Sequence, residues 1–106
     1  MKIEKTLLLV YHKYTKNAAN KKLYIRLFTE TEGTPKGKMY RELLSEVCKN
    51  CYILYDILGK IDRELYQRAL IRAEKIAGLK YKQIKKYGYA YHAAKLRIDK
   101  QVKAGY

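Results

Sequence analysis

The chain has 106 residues, 48% of them apolar, and carries 24 Lys and Arg against 10 Asp and Glu, a formal charge of +14. A chain of this length buries roughly 60–70% of its unfolded surface, which excludes a disordered tail and fits a single domain. The charge imbalance costs self-repulsion and points first to a polyanionic partner, nucleic acid or an anionic membrane surface.

That charge is partitioned along the chain. Residues 1–26 hold seven basic residues and one acid, residues 27–74 hold eight of each, and residues 75–106 hold nine basic residues with Asp99 as their one acid. Two basic ends flanking a neutral middle read as polyanion-facing surfaces on a core scaffold. The apolar run Leu7–Val10 is too short for a signal-peptide core, and no stretch approaches the ~20 apolar residues of a membrane span. Cys48 and Cys51 cannot make a disulfide framework, so a reducing cytoplasm is expected.

In chain order, Leu7, Val10, Tyr11, Tyr14 and Ala18 recur at spacings of three and four and predict a helix. Leu23 to Phe28 satisfies both strand and helix patterns, so a small β element over 23–31 stays open beside a helix. Thr29 to Lys38, with Gly33, Pro35 and Gly37, reads as a loop, because Pro35 biases Thr34 away from the helical region. Tyr40, Leu44, Val47, Cys51, Leu54 and Leu58 then define a helix over 39–58, and Leu43, Ile53, Tyr55 and Ile57 widen its stripe until it reads as buried nearly all round. Gly59 suits a left-handed helix end and Asp62 the next N-cap, with Ile61 and Tyr66 as a hydrophobic staple. The following helix places Tyr66, Ala69, Leu70, Ala73, Ile76 and Ala77 inside and stops at Gly78. A short helix with Tyr81 and Ile84 inside ends near Gly88, and a last helix over 90–104 buries Ala94, Ile98 and Val102. The fold expected is all-α: about five helices, a scaffold in 1–60, and 61–106 as a helix-turn-helix docked on helix 39–58.

The segment Arg68 to Lys103 has the layout of a helix-turn-helix, with turns at Gly78 and Gly88 before a longer basic helix. Gly78-Leu79-Lys80-Tyr81-Lys82-Gln83-Ile84 followed by Gly88-Tyr89-Ala90 resembles the fourth-region helix-turn-helix of sigma-70-type factors, a module also seen in phage late-transcription regulators of the ArpU and RinA kind. The resemblance covers about the last 40 residues, and Ala90 stands where a Ser or Thr normally caps the recognition helix. It implies a DNA-binding transcription regulator of a phage or mobile element, with the helix from Ala90 in a major groove of double-stranded DNA. Tyr91, His92 and Lys95 would then face bases, and Arg97, Lys100, Lys103, Lys80, Lys82, Lys85 and Lys86 would hold phosphates.

Lys2, Lys5, Lys13, Lys16, Lys21 and Lys22 offer a second contact surface or arm. Of the 12 tyrosines, Tyr11, Tyr14, Tyr40, Tyr55, Tyr66 and Tyr81 fall on inner faces, whereas Tyr87, Tyr89, Tyr91 and Tyr106 are placed to touch nucleic acid. Cys48 and Cys51 lie inside the apolar helix and read as core. A zinc site would need both His12 and His92, without the usual His-x3–5-His spacing. Glu30 with Glu32, and Glu42 with Glu46, read as solvated surface, and no phosphate loop, catalytic triad or magnesium-holding cluster is present, so neither catalysis nor a cofactor is expected. Two rival functions stand beside the regulator: a non-specific helical DNA or RNA binder, and a phage-type protein that grips a host protein such as RNA polymerase. Leu96, off the expected buried line, hints at a homodimer contact.

Overall fold

The computed structural model describes residues 4–103 and 105, apart from the Lys103 side chain. Four helices account for nearly all of them: α1 (Lys5–Glu30), α2 (Pro35–Ile61), α3 (Arg63–Tyr87) and α4 (Tyr89–Lys103). The all-α expectation holds with four helices rather than five, and there is no strand among the described residues. The ambiguous 23–28 segment continues α1, since Leu23, Tyr24 and Leu27 fall on the face that α1 already buries with Tyr14, Ala18 and Ala19. Among the described residues, no helix is long and apolar enough to cross a membrane.

The connections follow from local chemistry. The expected ten-residue loop shrinks to 31–34, because Pro35 occupies the first helical position, where its missing N–H is no loss. Thr34 is extended at φ −108°, ψ 163° and its Oγ1 accepts from the Gly37 N–H at 3.1 Å, capping α2. Gly37 is required by space, since a Cβ there would lie 2.2 Å from the Thr31 carbonyl oxygen. Asp62 alone separates α2 from α3, and its Oδ1 accepts from the Leu65 N–H at 3.0 Å, as expected of the cap. Gly59 does not end α2, which continues to Ile61. Ile61 is exposed, and Tyr66 packs on Tyr14 and Tyr55 instead of forming a staple with it.

The larger correction concerns Gly78, which lies inside a continuous α3. The two helices expected on either side of it are one, because Ala69, Ala73, Ala77 and Ile84 keep a single helical stripe on the core. Only Gly88, at φ 88°, makes a turn, its N–H reaching the Ile84 carbonyl at 2.7 Å. The first turn of the expected helix-turn-helix is therefore absent.

Cross-helix contacts give the topology. Tyr14 meets Tyr66, Lys22 meets Glu74 and Glu30 meets Lys85, so α3 runs parallel to α1. Tyr24 stacks on Tyr40, and α2 runs back between them in chain order, giving an up-down-up set that α4 closes by turning down again. α1 is the central element, packed along both α2 and α3. Helix α2 is consequently not buried all round. Tyr40, Val47, Cys51 and Leu58 face the core, while Tyr52, Ile53, Tyr55 and Ile57 are exposed, because no further layer covers that side.

Gly78→Ala and Gly88→Ala separate the two glycines. A Cβ at position 78 meets nothing within 4 Å, so Gly78→Ala should stabilise the fold by about 0.5–1 kcal/mol as a helix-interior replacement. Gly88→Ala should destabilise it, because φ 88° is strained for any L side chain. Urea unfolding midpoints of the two variants check both signs. A destabilising Gly78→Ala would restore the turn at that position.

Candidate nucleic-acid interface

The far end of the molecule is tied by one carboxylate. Glu30, the last residue of α1, accepts hydrogen bonds from Lys85 Nζ at 2.6 Å, from Tyr89 Oη at 2.8 Å, and from the Tyr81 hydroxyl. The hydrogen bonds from Lys85 and Tyr81 hold it at about 2, well below the ordinary 4.5. Glu30 is an exposed acid as expected, but it ends a helix rather than lying in a loop, and Lys85, expected to hold phosphate, is engaged in pairing it. The Tyr81 ring also carries the Arg26 guanidinium 3.9 Å from its centroid. These contacts fix where α4 begins.

From that start α4 turns one face inward. Tyr89 and His92 pack on Tyr40, with ring centroids 6.2 and 5.8 Å away, and His92 lies 6.1 Å from Tyr24. Ala93 and Leu96 continue the inner face, half-buried. The expected buried line is therefore reversed: Ala94, Ile98 and Val102 are exposed, and Leu96 packs against the core. Both lines satisfy helical spacing, and the rings of Tyr24 and Tyr40 select the one that carries an aromatic partner. His92, expected to face bases, is only 9% exposed and its Nε2 has no hydrogen-bond partner. Burial, with Lys80 and Lys95 nearby and Asp99 opposing, lowers its pKa to about 4.

Those rings hold the backbone of α4 away from α1 and leave a cleft of about 120 Å³ between α1, α3 and α4. Lys16 and Asn20 of α1, Lys80 and Gln83 of α3, and Tyr91, His92, Lys95 and Asp99 of α4 line it over an apolar floor of Leu23, Tyr24, Ile84 and Leu96. Lys80 is half-buried and donates to Asn20 Oδ1 at 2.8 Å. Burial lowers its pKa, helped by the charges of Lys16 and Lys95 and opposed by Asp99. Lys16 and Asn20 also line a neighbouring groove against α2, with Lys13, Asn17 and Asn50. Asp99 is the one acid in either lining.

The other expected contacts scatter. Lys82 and Lys86 are exposed on α3. Arg97 and Lys100 lie on the opposite flank of α4, in a shallow groove shared with Glu42 and Glu46. Lys22 pairs with Glu74. Lys2, Tyr106 and the Lys103 side chain lie outside the described residues. Among the tyrosines, Tyr14, Tyr24 and Tyr40 are buried as core, and Tyr55, expected inside, is 44% exposed. Burial pushes the Cys51 thiol pKa up, which opposes thiolate chemistry there. Sequence reasoning missed Asn20 and Gln83, although Lys13, Lys16, Asn17 and Asn20 form a polar stripe at spacings of three, one and three that a helix through 20 would have marked.

Compared with known proteins, the chain matches no family model, and no curated protein or solved structure is significantly similar to it.

His92 should set the acid limb of stability. Its folded pKa of about 4 lies below the ordinary 6.5, so its contribution is fully present above pH 6.5 and is lost as pH falls toward 4. Wild type should lose about 1–2 kcal/mol between pH 7 and pH 5 from this residue. His92→Phe, which keeps a ring against Tyr24 and Tyr40, should flatten that window in urea titrations.

Proposed function

We propose that this chain is a nucleic-acid-binding protein that holds backbone phosphates along the Lys13–Lys16–Lys80–Lys95 surface. The observation that supports this reading most is convergence: lysines from the two basic ends of the sequence meet at one cleft, where Asp99 is the one acid. A surface made basic merely for solubility has no reason to gather cations that repel one another and partly desolvate one of them. Exposed Lys82 and Lys86 extend the same charge along α3.

A sequence-reading form, the phage-type or mobile-element transcription regulator on double-stranded DNA that the resemblance implies, would take its base contacts from Tyr91 and Lys95, exposed on the first turns of α4. His92 would contribute to position only. A protein partner, such as a host polymerase, is favoured by a different observation: Tyr91, Ala94, Ile98 and Val102 form an exposed apolar line on α4.

Salt titration tests the first reading. Duplex affinity should fall by roughly 0.9 log unit per log unit of salt for each phosphate held, and Lys16→Gln with Lys95→Gln should reduce the slope by about 2. Both side chains are exposed, so folding is undisturbed. No binding at low salt, or an unchanged slope, would exclude this surface. Selection from genomic fragments then separates the forms: one or a few enriched sites that Lys95→Ala abolishes indicate a sequence reader, and uniform enrichment a general binder.

A further inference from the structure

The cleft carries two unmet electrostatic demands. Lys16, Lys80 and Lys95 form no ion pair among the described residues, whereas the cations at the α1–α3 seam, Lys22 and Lys85, are neutralised by Glu74 and Glu30. Lys80 is half-buried with only the neutral Asn20 oxygen as partner. The His92 Nε2 is buried with no partner at all. An anion seated among these groups would relieve both the lysine repulsion and the desolvation of Lys80.

Size and shape narrow the ligand. A volume of about 120 Å³ exceeds the ~30 Å³ share of one water several-fold, and suits a phosphate with part of what it is attached to. At the mouth stands an exposed aromatic pair: Tyr91 is 51% and Tyr87 57% exposed, their ring centroids 5.4 Å apart. The Lys86 ammonium lies 5.3 Å from the Tyr87 centroid. Among the described residues, the other rings that pair include at least one half-buried or buried member, and this pair has none. A duplex keeps its bases stacked inside and offers a concave site only its convex backbone. An unpaired nucleotide can seat its phosphate inward and lay its base on a ring.

We propose that the α1/α3/α4 cleft and the Tyr87–Tyr91 pair together form a site for one unpaired nucleotide of a nucleic-acid strand, with its phosphate held by Lys16, Lys80 and Lys95 and its base stacked on Tyr91. This rests on the nucleic-acid-binding reading and makes the preferred substrate single-stranded. Tyr91 becomes the specificity-determining residue, because it contributes to single strands and not to duplex backbone.

The test measures, by fluorescence anisotropy, the full chain's affinity for a twelve-nucleotide oligothymidylate and for a blunt duplex of equal length at about 0.15 M salt. Wild type should prefer the single strand by at least tenfold. Tyr91→Ala, at an exposed position, should erase that preference by weakening single-strand binding more than duplex binding. Lys80→Met, folded by circular dichroism, should weaken single strands about tenfold, and thymidine 5′-monophosphate should compete at lower concentration than inorganic phosphate. Equal affinity for the two strand types, or a preference that Tyr91→Ala leaves intact, would overturn the nucleotide site while duplex binding upholds the broader reading. Binding of neither strand type would overturn both.

Discussion

The close packing of α1 on α3 is the constraint from which the rest of the structure follows. Ala18 and Ala19 on α1 and Ala69, Ala73 and Ala77 on α3 are all buried, and small side chains let two helices run side by side at short range. Such a seam leaves little apolar area to bury, so the larger hydrophobic contribution comes from Leu23, Leu27, Tyr40 and Leu58, which are fully enclosed. With α3 parallel to α1, residue 20 comes beside residue 80 and residue 30 beside residue 85. The cleft between α1, α3 and α4 depends on that register.

Charge is handled differently at the two ends of the seam. Near Glu30, three donors converge on one carboxylate, and the chain reversal at Gly88 is built around it. Ion pairs this exposed contribute modestly to stability, but here they fix a direction, since Tyr89 must lie beside Glu30 before α4 can descend. Farther down, Lys16, Lys80 and Lys95 meet without a matching acid cluster. The same helix register thus produces a neutralised knot and a bare cationic cleft.

Aromatic packing decides how wide that cleft is. His92, Tyr24, Tyr40 and Tyr89 fill the space between α4 and the pair α1–α2, and four rings keep helix backbones farther apart than the alanines of the α1–α3 seam do. Two polar atoms in this cluster, the Tyr40 hydroxyl and His92 Nε2, have no hydrogen-bond partner. Buried polar groups normally find one, so the rings at the head of α4 are where stability has been given up most plainly, directly above the lysines.

Local chemistry in the sequence determined the helical class, the Asp62 cap and the turn at Gly88, because a cap or a positive φ depends on a few adjacent residues, whereas Thr34-Pro35 reads as a loop and proves to be the start of α2. Periodicity likewise marked Ala69, Ala73 and Ala77 as an inner face. It did not determine whether Gly78 breaks a helix, since a glycine interior to a packed stripe costs only about 1 kcal/mol, which tertiary contacts override. Nor did it choose between the two apolar lines of α4: Ala94, Ile98 and Val102 match a helix as well as His92, Ala93 and Leu96 do. Only the tertiary structure decided that, by supplying ring partners for His92 and none for Ile98. The basic ends were visible as charge in the sequence, but the meeting of Lys16 with Lys80 and Lys95 required the parallel packing of α1 and α3 and the return of α4, contacts between residues too far apart in the chain for any local pattern to encode.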